Sequence, residues 1–393
     1  MTATLLVLML SPAQAADVFG DVADEVTIGM GGTWARVFPT TDGFWFGQGA
    51  GGDFWIEDIG VDLSGYDDQK RIKLTEHAGL QDTQIERCDD GGWLVVGSAS
   101  LDTFDDSAYA WRSDKDNDRG PTVVVEERED ARAHNDMAVL CTSGNEGVAF
   151  QNGRGGGASS FFPIRDNAVA SAKTVEFNAQ GAAFAVRPKD GKVVGADTAN
   201  SASKEIRFTV FNADWSTADI YTADVPQDYA SWPQRLLPYG DGWLVVYVTT
   251  PSQMAMGGEG PVWVLALDAD FQTIDSVQVT NDGEIGGRPW IGRNGDVLAV
   301  SYDRGVQPRI TLIKLGADTV PDDDDIPDTA NDGDTGDTDC CKDDDSSAGN
   351  GEDPLCCKDA DILDCGCQST EVPASALVLA LVATLAARRR RSA

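Results

Sequence analysis

The chain has 393 residues, a formal net charge of −35 at pH 7 and an isoelectric point near 4.1. Its length allows one large domain or two ordinary ones. The charge excludes a nucleic-acid partner, whose phosphates call for a surface rich in Lys and Arg, and argues against docking on anionic lipid.

Residues 1–15 read as a secretory signal. Leu5-Leu6-Val7-Leu8-Met9-Leu10 is a short apolar run, and Ala13-Gln14-Ala15 has the small-x-small pattern of a cleavage site. A buried N-terminal strand or helix is the alternative. No Lys or Arg precedes the run.

Residues 16–318 form the body and carry almost no helical periodicity. Short runs of Val, Ile, Phe, Trp and Tyr alternate with Gly, Asp, Asn and Pro, which is strand-and-turn chemistry. One unit recurs: a short strand, a tight turn of Asp-Gly type, then an apolar strand. It is seen at Asp42-Gly43-Phe44-Trp45-Phe46, at Gly91-Gly92-Trp93-Leu94-Val95-Val96 and at Asn145-Glu146-Gly147-Val148-Ala149-Phe150. It returns at Asp190-Gly191-Lys192-Val193-Val194, Asp241-Gly242-Trp243-Leu244-Val245-Val246 and Asn294-Gly295-Asp296-Val297-Leu298. The turn glycines fall roughly 50 residues apart, within the range for propeller blades. Glycine is expected there to supply a positive φ.

The second unit continues with Tyr109-Ala110-Trp111 and Thr122-Val123-Val124-Val125. The fifth continues through Val262-Trp263-Val264-Leu265-Ala266-Leu267 to Ser276-Val277-Gln278-Val279. Four strands per repeat is the count of a propeller blade. The last unit ends at Ile310-Thr311-Leu312-Ile313 with only three, and Glu25-Val26-Thr27-Ile28 offers the missing fourth. The reading is an all-β fold, a six-bladed β-propeller closed by joining N- and C-terminal strands. A pair of β-sandwiches and a seven-bladed ring are the alternatives. The body resembles secreted bacterial propellers in general, with neither a Trp-Asp blade motif nor an Asp-box.

Cys88 and Cys141 hold matching positions before the turns of adjacent units. Innermost strands of neighbouring blades lie close, so a disulfide is expected if the Cα atoms approach within about 7 Å; two small buried hydrophobes are the alternative. Asp114, Asp116 and Asp118 alternate along a turn that ends at Gly120, a pattern able to wrap Ca²⁺ through oxygen ligands. The turn resembles calcium loops found between propeller strands. It departs from them in the late glycine, in Arg119 and in the lack of a closing Glu. A solvated blade loop is the plainer reading.

Catalytic signals are sparse. The two histidines, His77 and His134, lack metal-ligand spacing, and no Gly-x-Ser-x-Gly elbow is present. Glu126-Glu127 and Glu129-Asp130 are acid pairs of the sort an acidic chain supplies by chance. Arg235, Arg288, Tyr302 and Arg304 are the one set placed where a channel-mouth site would need them.

Residues 319–364 form an acidic linker holding four of the eight cysteines. A solvated, self-repelling spacer is the reading. Asp322-Asp323-Asp324-Asp325-Ile326-Pro327-Asp328 resembles a degenerate thrombospondin type-3 repeat, which implies loose calcium binding. The matched pairs Cys340-Cys341 and Cys356-Cys357, each followed by Lys-Asp, suit local disulfides in an exported stalk. Zinc ranks below that, because no Cys-x-x-Cys spacing exists.

Residues 365–393 hold Cys365-Gly366-Cys367, an uncharged stretch over 372–387, and Arg388, Arg389, Arg390 and Arg391. The stretch is a little short of the ~20 residues a bilayer core requires. The arginines should stay on the cytoplasmic side. This order of Cys, apolar helix and Arg cluster resembles the myxobacterial C-terminal sorting signal (the Myxo-CTERM type). The resemblance implies cleavage near the Cys by a sorting protease of the cell envelope. It also implies retention at the cell surface or outer membrane, with lipid on Cys365 or Cys367. A plain tail anchor places the body outside equally well.

The expected function is therefore a surface-anchored extracellular propeller that binds a protein or glycan ligand without catalysis, with calcium the one cofactor in view. A polysaccharide hydrolase or lyase with its site at the channel mouth is the competing reading, and a structural role in the envelope is a third.

Overall fold

The computed structural model describes residues 18–28, 33–50, 53–64, 72–73, 80–100, 106–116, 118, 120–126, 137–142, 145–151, 159–165, 167–176, 182–198, 204–225, 230–250 and 259–316. The chain divides into two units, Met1–Asp332 and Gly333–Ala393, and every described residue lies in the first. The expected signal, linker and sorting segment, with Cys365, Cys367 and Arg388 to Arg391, lie outside the described residues.

The first two strands, β1 (Phe19–Val22) and β2 (Val26–Thr27), serve a blade completed only at the far end of the body. Blade one is β3 (Thr33–Pro39), β4 (Gly43–Ala50), β5 (Asp53–Gly60) and β6 (Ile72–Lys73). Blade two is β7 (Leu80–Arg87), β8 (Trp93–Ser100), β9 (Asp106–Ser113) and β10 (Val123–Glu126). Blade three is β11 (Met137–Thr142), β12 (Asn145–Gln151) and β13 (Ser159–Arg165), with an outer strand split into β14 (Ala168–Val169) and β15 (Lys173–Val175). Blade four is β16 (Ala183–Val186), β17 (Val193–Thr198), β18 (Glu205–Phe211) and β19 (Thr217–Asp224). Blade five is β20 (Ala230–Tyr239), β21 (Gly242–Thr249), β23 (Val262–Leu267) and β24 (Thr273–Gln278). A short β22 (Glu259–Gly260) leaves it to pair with the inner strand of blade six. Blade six is β25 (Gly286–Asn294), β26 (Val297–Arg304) and β27 (Gln307–Leu315).

The first strand of each blade is innermost, and these six neighbour one another in cyclic order, with β25 packed on β3. The assembly is thus a closed six-bladed ring, neither a sandwich pair nor a seven-bladed disc. Closure follows the expectation. Both β1 and β2 pair with β27 and supply the outer strand of blade six. Asp275 of β24 accepts the Val18 and Phe19 amides at 3.0 and 3.2 Å, clamping the start of the strap to blade five.

A four-stranded sheet cannot hide two apolar faces alone, so the core lies between blades. The packing layers join blades two and three, three and four, four and five, and five and six, and a further layer runs from six through one to two. Being covered on both sides, the second strands lose the in–out alternation of a half-buried sheet; every residue of β21 is buried.

The turn glycines act differently from expectation. Of the six, only Gly191 and Gly295 have positive φ. Gly242 opens β21 where a Cβ would lie 2.0 Å from the Leu267 carbonyl oxygen at the end of β23, and Gly43, Gly92 and Gly147 meet the corresponding third-strand carbonyl at 2.2–2.5 Å. Close approach of backbone, rather than handedness, excludes a side chain at those four positions.

A second repeated turn escaped the sequence reading. Between third and fourth strands, Gly60-Val61-Asp62-Leu63-Ser64, Asn212-Ala213-Asp214-Trp215-Ser216 and Asp268-Ala269-Asp270-Phe271-Gln272 each close with the first amide donating to the fifth carbonyl at 2.8–3.0 Å. The fourth residue takes positive φ in all three, at 63°, 69° and 61°. That conformation disfavours a side chain other than Gly, Asn or Asp, yet here it tucks the apolar group between blades. Trp215 stacks on Phe161 of blade three, and Phe271 on Phe208 of blade four.

Candidate functional site

Four of the six inner strands carry a bulge near their start: β3 before Arg36, β7 after Leu80, β20 before Arg235 and β25 before Trp290. A bulge breaks the pairing and re-aims side chains, and such irregularities cluster beside sites. Here they bring Arg36, Gln84, Glu86, Arg235 and Trp290 from blades one, two, five and six into the centre of the ring.

Arg235 reaches across the axis to Glu86 in the opposite blade. The contact is bidentate, with Nη2 donating to Oε1 at 2.6 Å and Nη1 donating to Oε2. Arg36 is wholly buried. It donates to the Gln84 Oε1 at 3.0 Å and to the Ala35 and Arg288 carbonyls at 3.0 and 3.1 Å. Both guanidiniums also lie on the Trp290 ring, at 4.4 Å for Arg36 and 4.7 Å for Arg235, a cation–π arrangement strengthened by the lack of water. Burial pushes Arg36 down to about 9, opposed by Asp303 and aided by Arg288 and Arg235. Burial likewise pushes the Glu86 carboxyl up, against the pull of Arg235. The centre of the ring is a packed polar stopper.

Towards the mouth stands Arg288, with a φ of 48° immediately before Pro289. A left-handed non-glycine residue costs roughly 1–2 kcal/mol and is doubly disfavoured before proline. Its guanidinium lies 3.6 Å from Asp303 and is 38% exposed, against 15% for Arg235. Asp303 also accepts the Ala35 amide at 3.1 Å. Beside the stopper is a cavity of about 10 Å³, room for one water-sized group.

The structure divides the four residues singled out at the mouth. Arg235 and Arg288 belong to the channel. Tyr302 and Arg304 instead meet Glu25 of the closure strap: the Tyr302 hydroxyl donates to it, and Arg304 and Arg309 lie 2.9 and 3.4 Å away. Arg304 also pairs with Glu284 at 2.8 Å. Burial and the Glu25 carboxylate hold the Tyr302 hydroxyl well above its usual range.

Arg36, Glu86, Gln84 and Trp290 were missed. A signal existed: Arg36, Arg235 and Arg288 each stand seven residues before their turn glycine.

Cys88 and Cys141 are joined, with Cα atoms 4.8 Å apart, stapling blades two and three at their inner edge. Asp114 spends its Oδ1 on the Asp116 and Asp118 amides, both at 2.9 Å. Asp268 does the same for Asp270 and Gln272 in blade five, so the Asp114 loop shares the hydrogen bonding of that turn, its first amide donating to the Asp118 carbonyl at 3.1 Å. Asp116 and Asp118 are exposed, and among the described residues no group of three or more His, Cys, Asp or Glu is placed to hold a metal ion. His77, His134, Glu127, Glu129 and Asp130 lie outside the described residues, as does the Glu126 side chain. Among the described residues no helix is long and apolar enough to cross a membrane.

No protein-family model matches the chain, and no curated protein matches it. Solved structures do. A protein of unknown function from Bacteroides caccae is 12% identical with a TM-score of 0.42, over 65% of this chain and 94% of that one. The subtype N11 neuraminidase-like protein of A/flat-faced bat/Peru/033/2010 (H18N11) is 12% identical with a TM-score of 0.46, over 79% and 99%. The neuraminidase-like protein from A/bat/Guatemala/164/2009 is 9% identical with a TM-score of 0.45, over 76% and 96%. Likeness at that level says nothing of chemistry, and the six-bladed ring stands on this chain's own strand pairing.

Proposed function

We propose that this chain is an exported, surface-anchored propeller that binds a protein or glycan ligand on one face of its disc, without catalysis. The observation that carries the reading is the stopper. Glycoside hydrolysis by the common route needs two carboxyl groups free to flank a bond. The described acids at the centre, Glu86 and Asp303, are each held by an arginine. The space between opposite blades is taken by their partners and Trp290, which leaves the faces of the disc as the surface on which a ligand would dock. Export and anchoring rest on the signal-like residues 1–15 and on the Cys, apolar stretch and Arg cluster of residues 365–393.

A second reading, a polysaccharide hydrolase or lyase, draws on Arg288, a strained and half-exposed cation at the channel mouth. One experiment separates them. Residues 16–318 are purified and presented with a glycan array and an envelope-protein pull-down, with and without calcium, while polysaccharide chain length is followed. Binding without shortening is expected. Chain cleavage that disappears in Glu86→Gln or Arg288→Ala would replace the binding reading with the enzymatic one. Loss of all binding in chelator would move calcium at Asp114, Asp116 and Asp118 from expectation to requirement. Cell fractionation of Cys365→Ser/Cys367→Ser protein tests the anchor: unchanged surface retention would reject a sorting role for those cysteines.

A further inference from the structure

Sheet edges invite pairing with other chains, and folded proteins blunt them with short strands, bulges, covering segments, Lys or Pro. Among the described residues, five of the six outer edges are blunted in this way. In blade one, β6 has two residues; in blade two, β10 has four, with a register break between Val124 and Glu126. The outer strand of blade three is split into pieces of two and three residues. In blade five, β24 is bulged at its start and carries the strap on Asp275. The strap itself edges blade six in pieces of four and two residues. The exception is β19 of blade four, Thr217-Ala218-Asp219-Ile220-Tyr221-Thr222-Ala223-Asp224. It has eight residues with no Lys, Arg or Pro, and its register is regular from Asp219 to Asp224. Ile220, near its middle, is 51% exposed.

Hydrogen bonding in an antiparallel pair alternates, so every second residue turns its N–H and C=O away from the partner strand. The Val225 amide donates to the Lys204 carbonyl, in register with the β18–β19 pairing. Tyr221 and Ala223 therefore bond to β18, and Ile220, Thr222 and Asp224 turn outward. The Asp224 carbonyl agrees: it accepts the Thr273 hydroxyl of blade five at 3.0 Å. Ala218 stands where the pairing shifts, between Thr217 and Asp219. Ile220 and Thr222 are left with outward backbone groups that no described strand receives.

We propose that β19 pairs antiparallel with β19 of a second copy of this chain, about a two-fold axis through Tyr221, joining two propellers rim to rim. Only residues with outward backbone groups can form the bonded pairs. The two that remain pair crosswise: Ile220 of each copy lies opposite Thr222 of the other, in a ladder of about four hydrogen bonds. In this register the strand is its own complement. Asp219 lies opposite Ala223 and Asp224 opposite Ala218, so no carboxylate directly faces another, the arrangement that would destabilise a cross-strand pair. The net charge of −35 opposes association of two copies at long range, and salt screens that repulsion beyond about 8 Å at physiological ionic strength. The contact uses the rim and leaves both faces of each disc open.

Sedimentation velocity of full-length protein at physiological ionic strength should show a mass that climbs from one chain towards two as concentration rises. Ile220→Lys places a charge on the open edge and should weaken association by about tenfold or more. Its Tm should match wild type, because the side chain is half exposed. Ile274→Lys, at a 42% exposed position on β24, should associate as wild type does. The register has its own test. Opposite residues of a bonded pair have Cα atoms about 5.5 Å apart, within disulfide range. An equal mixture of Ile220→Cys and Thr222→Cys proteins should therefore form an interchain disulfide under mild oxidation, and neither protein alone should exceed wild type. A single-chain mass at every concentration, undiminished association of Ile220→Lys, equal weakening by both lysine variants, or cross-linking of one cysteine variant alone as strong as that of the mixture would each overturn the proposal.

Discussion

Breaking the Glu86–Arg235 pair from one side should be far more damaging than removing both partners. The Glu86 side chain is 7% exposed and that of Arg235 15%, so each charge is stripped of most of its water. Coulomb attraction between them offsets that desolvation only while both are present. Arg235→Met leaves an isolated buried carboxylate and should destabilise by about 3–5 kcal/mol. For a body of this size, that lowers Tm by about 6 °C. Glu86→Leu should behave alike through the orphaned guanidinium. The double variant removes both desolvation costs and should lie within about 1 kcal/mol of wild type, or above it.

Linkage gives an independent check. Burial raises the folded-state value of Glu86 above its ordinary 4.5. The folded state then holds its proton to higher pH than the unfolded state does. The associated stability is complete below about 4.5 and is lost as pH rises through the folded value. Denaturant titrations of the four proteins across that window measure both effects. Two single variants within 0.5 kcal/mol of wild type, roughly the scale of an exposed pair, would falsify the buried stopper.

Three other outcomes are expected. Replacing Cys88 and Cys141 by alanine, which opens a loop with a separation of 53 residues, should cost about 4 kcal/mol in denaturant unfolding on the loop-entropy model; thiol titration of denatured, unreduced protein cut before Asp318 should find no free thiol. Gly242→Ala should cost several kcal/mol by forcing a Cβ 2.0 Å from the Leu267 carbonyl. Gly191→Ala, with φ of 69° and nothing within 4 Å, should cost only the roughly 1–2 kcal/mol of a left-handed alanine; equal losses by urea titration would refute the distinction between close approach and handedness. Phe271→Ala removes a fully buried ring that stacks on Phe208 and Trp243 and should cost about 3–5 kcal/mol by the same measurement.

By itself the sequence determined the repeat and the strand count, because those signals are local, and the closure, because one unit lacked a strand. An apolar run such as Val262–Leu267 or a turn residue at a fixed offset is read within a few residues, and closure follows from the count: the last unit is short of one strand and the N-terminal segment has one to spare. The tertiary structure decided what converges. Arg36, Glu86, Arg235 and Trp290 are scattered over 255 positions and meet only because every inner strand faces one axis. Offset from the turn glycine does not by itself fix a residue's depth along that axis: Arg36 and Arg288 share the same offset, yet one is wholly buried and the other 38% exposed. What a residue meets there depends on five other blades, and on bulges such as the one between Gly287 and Trp290 that no local pattern announces. The same holds for the turn glycines. Sequence identified where they are needed. Only the folded sheets revealed why: a third-strand carbonyl approaches Gly43, Gly92, Gly147 and Gly242, while Gly191 and Gly295 take positive φ.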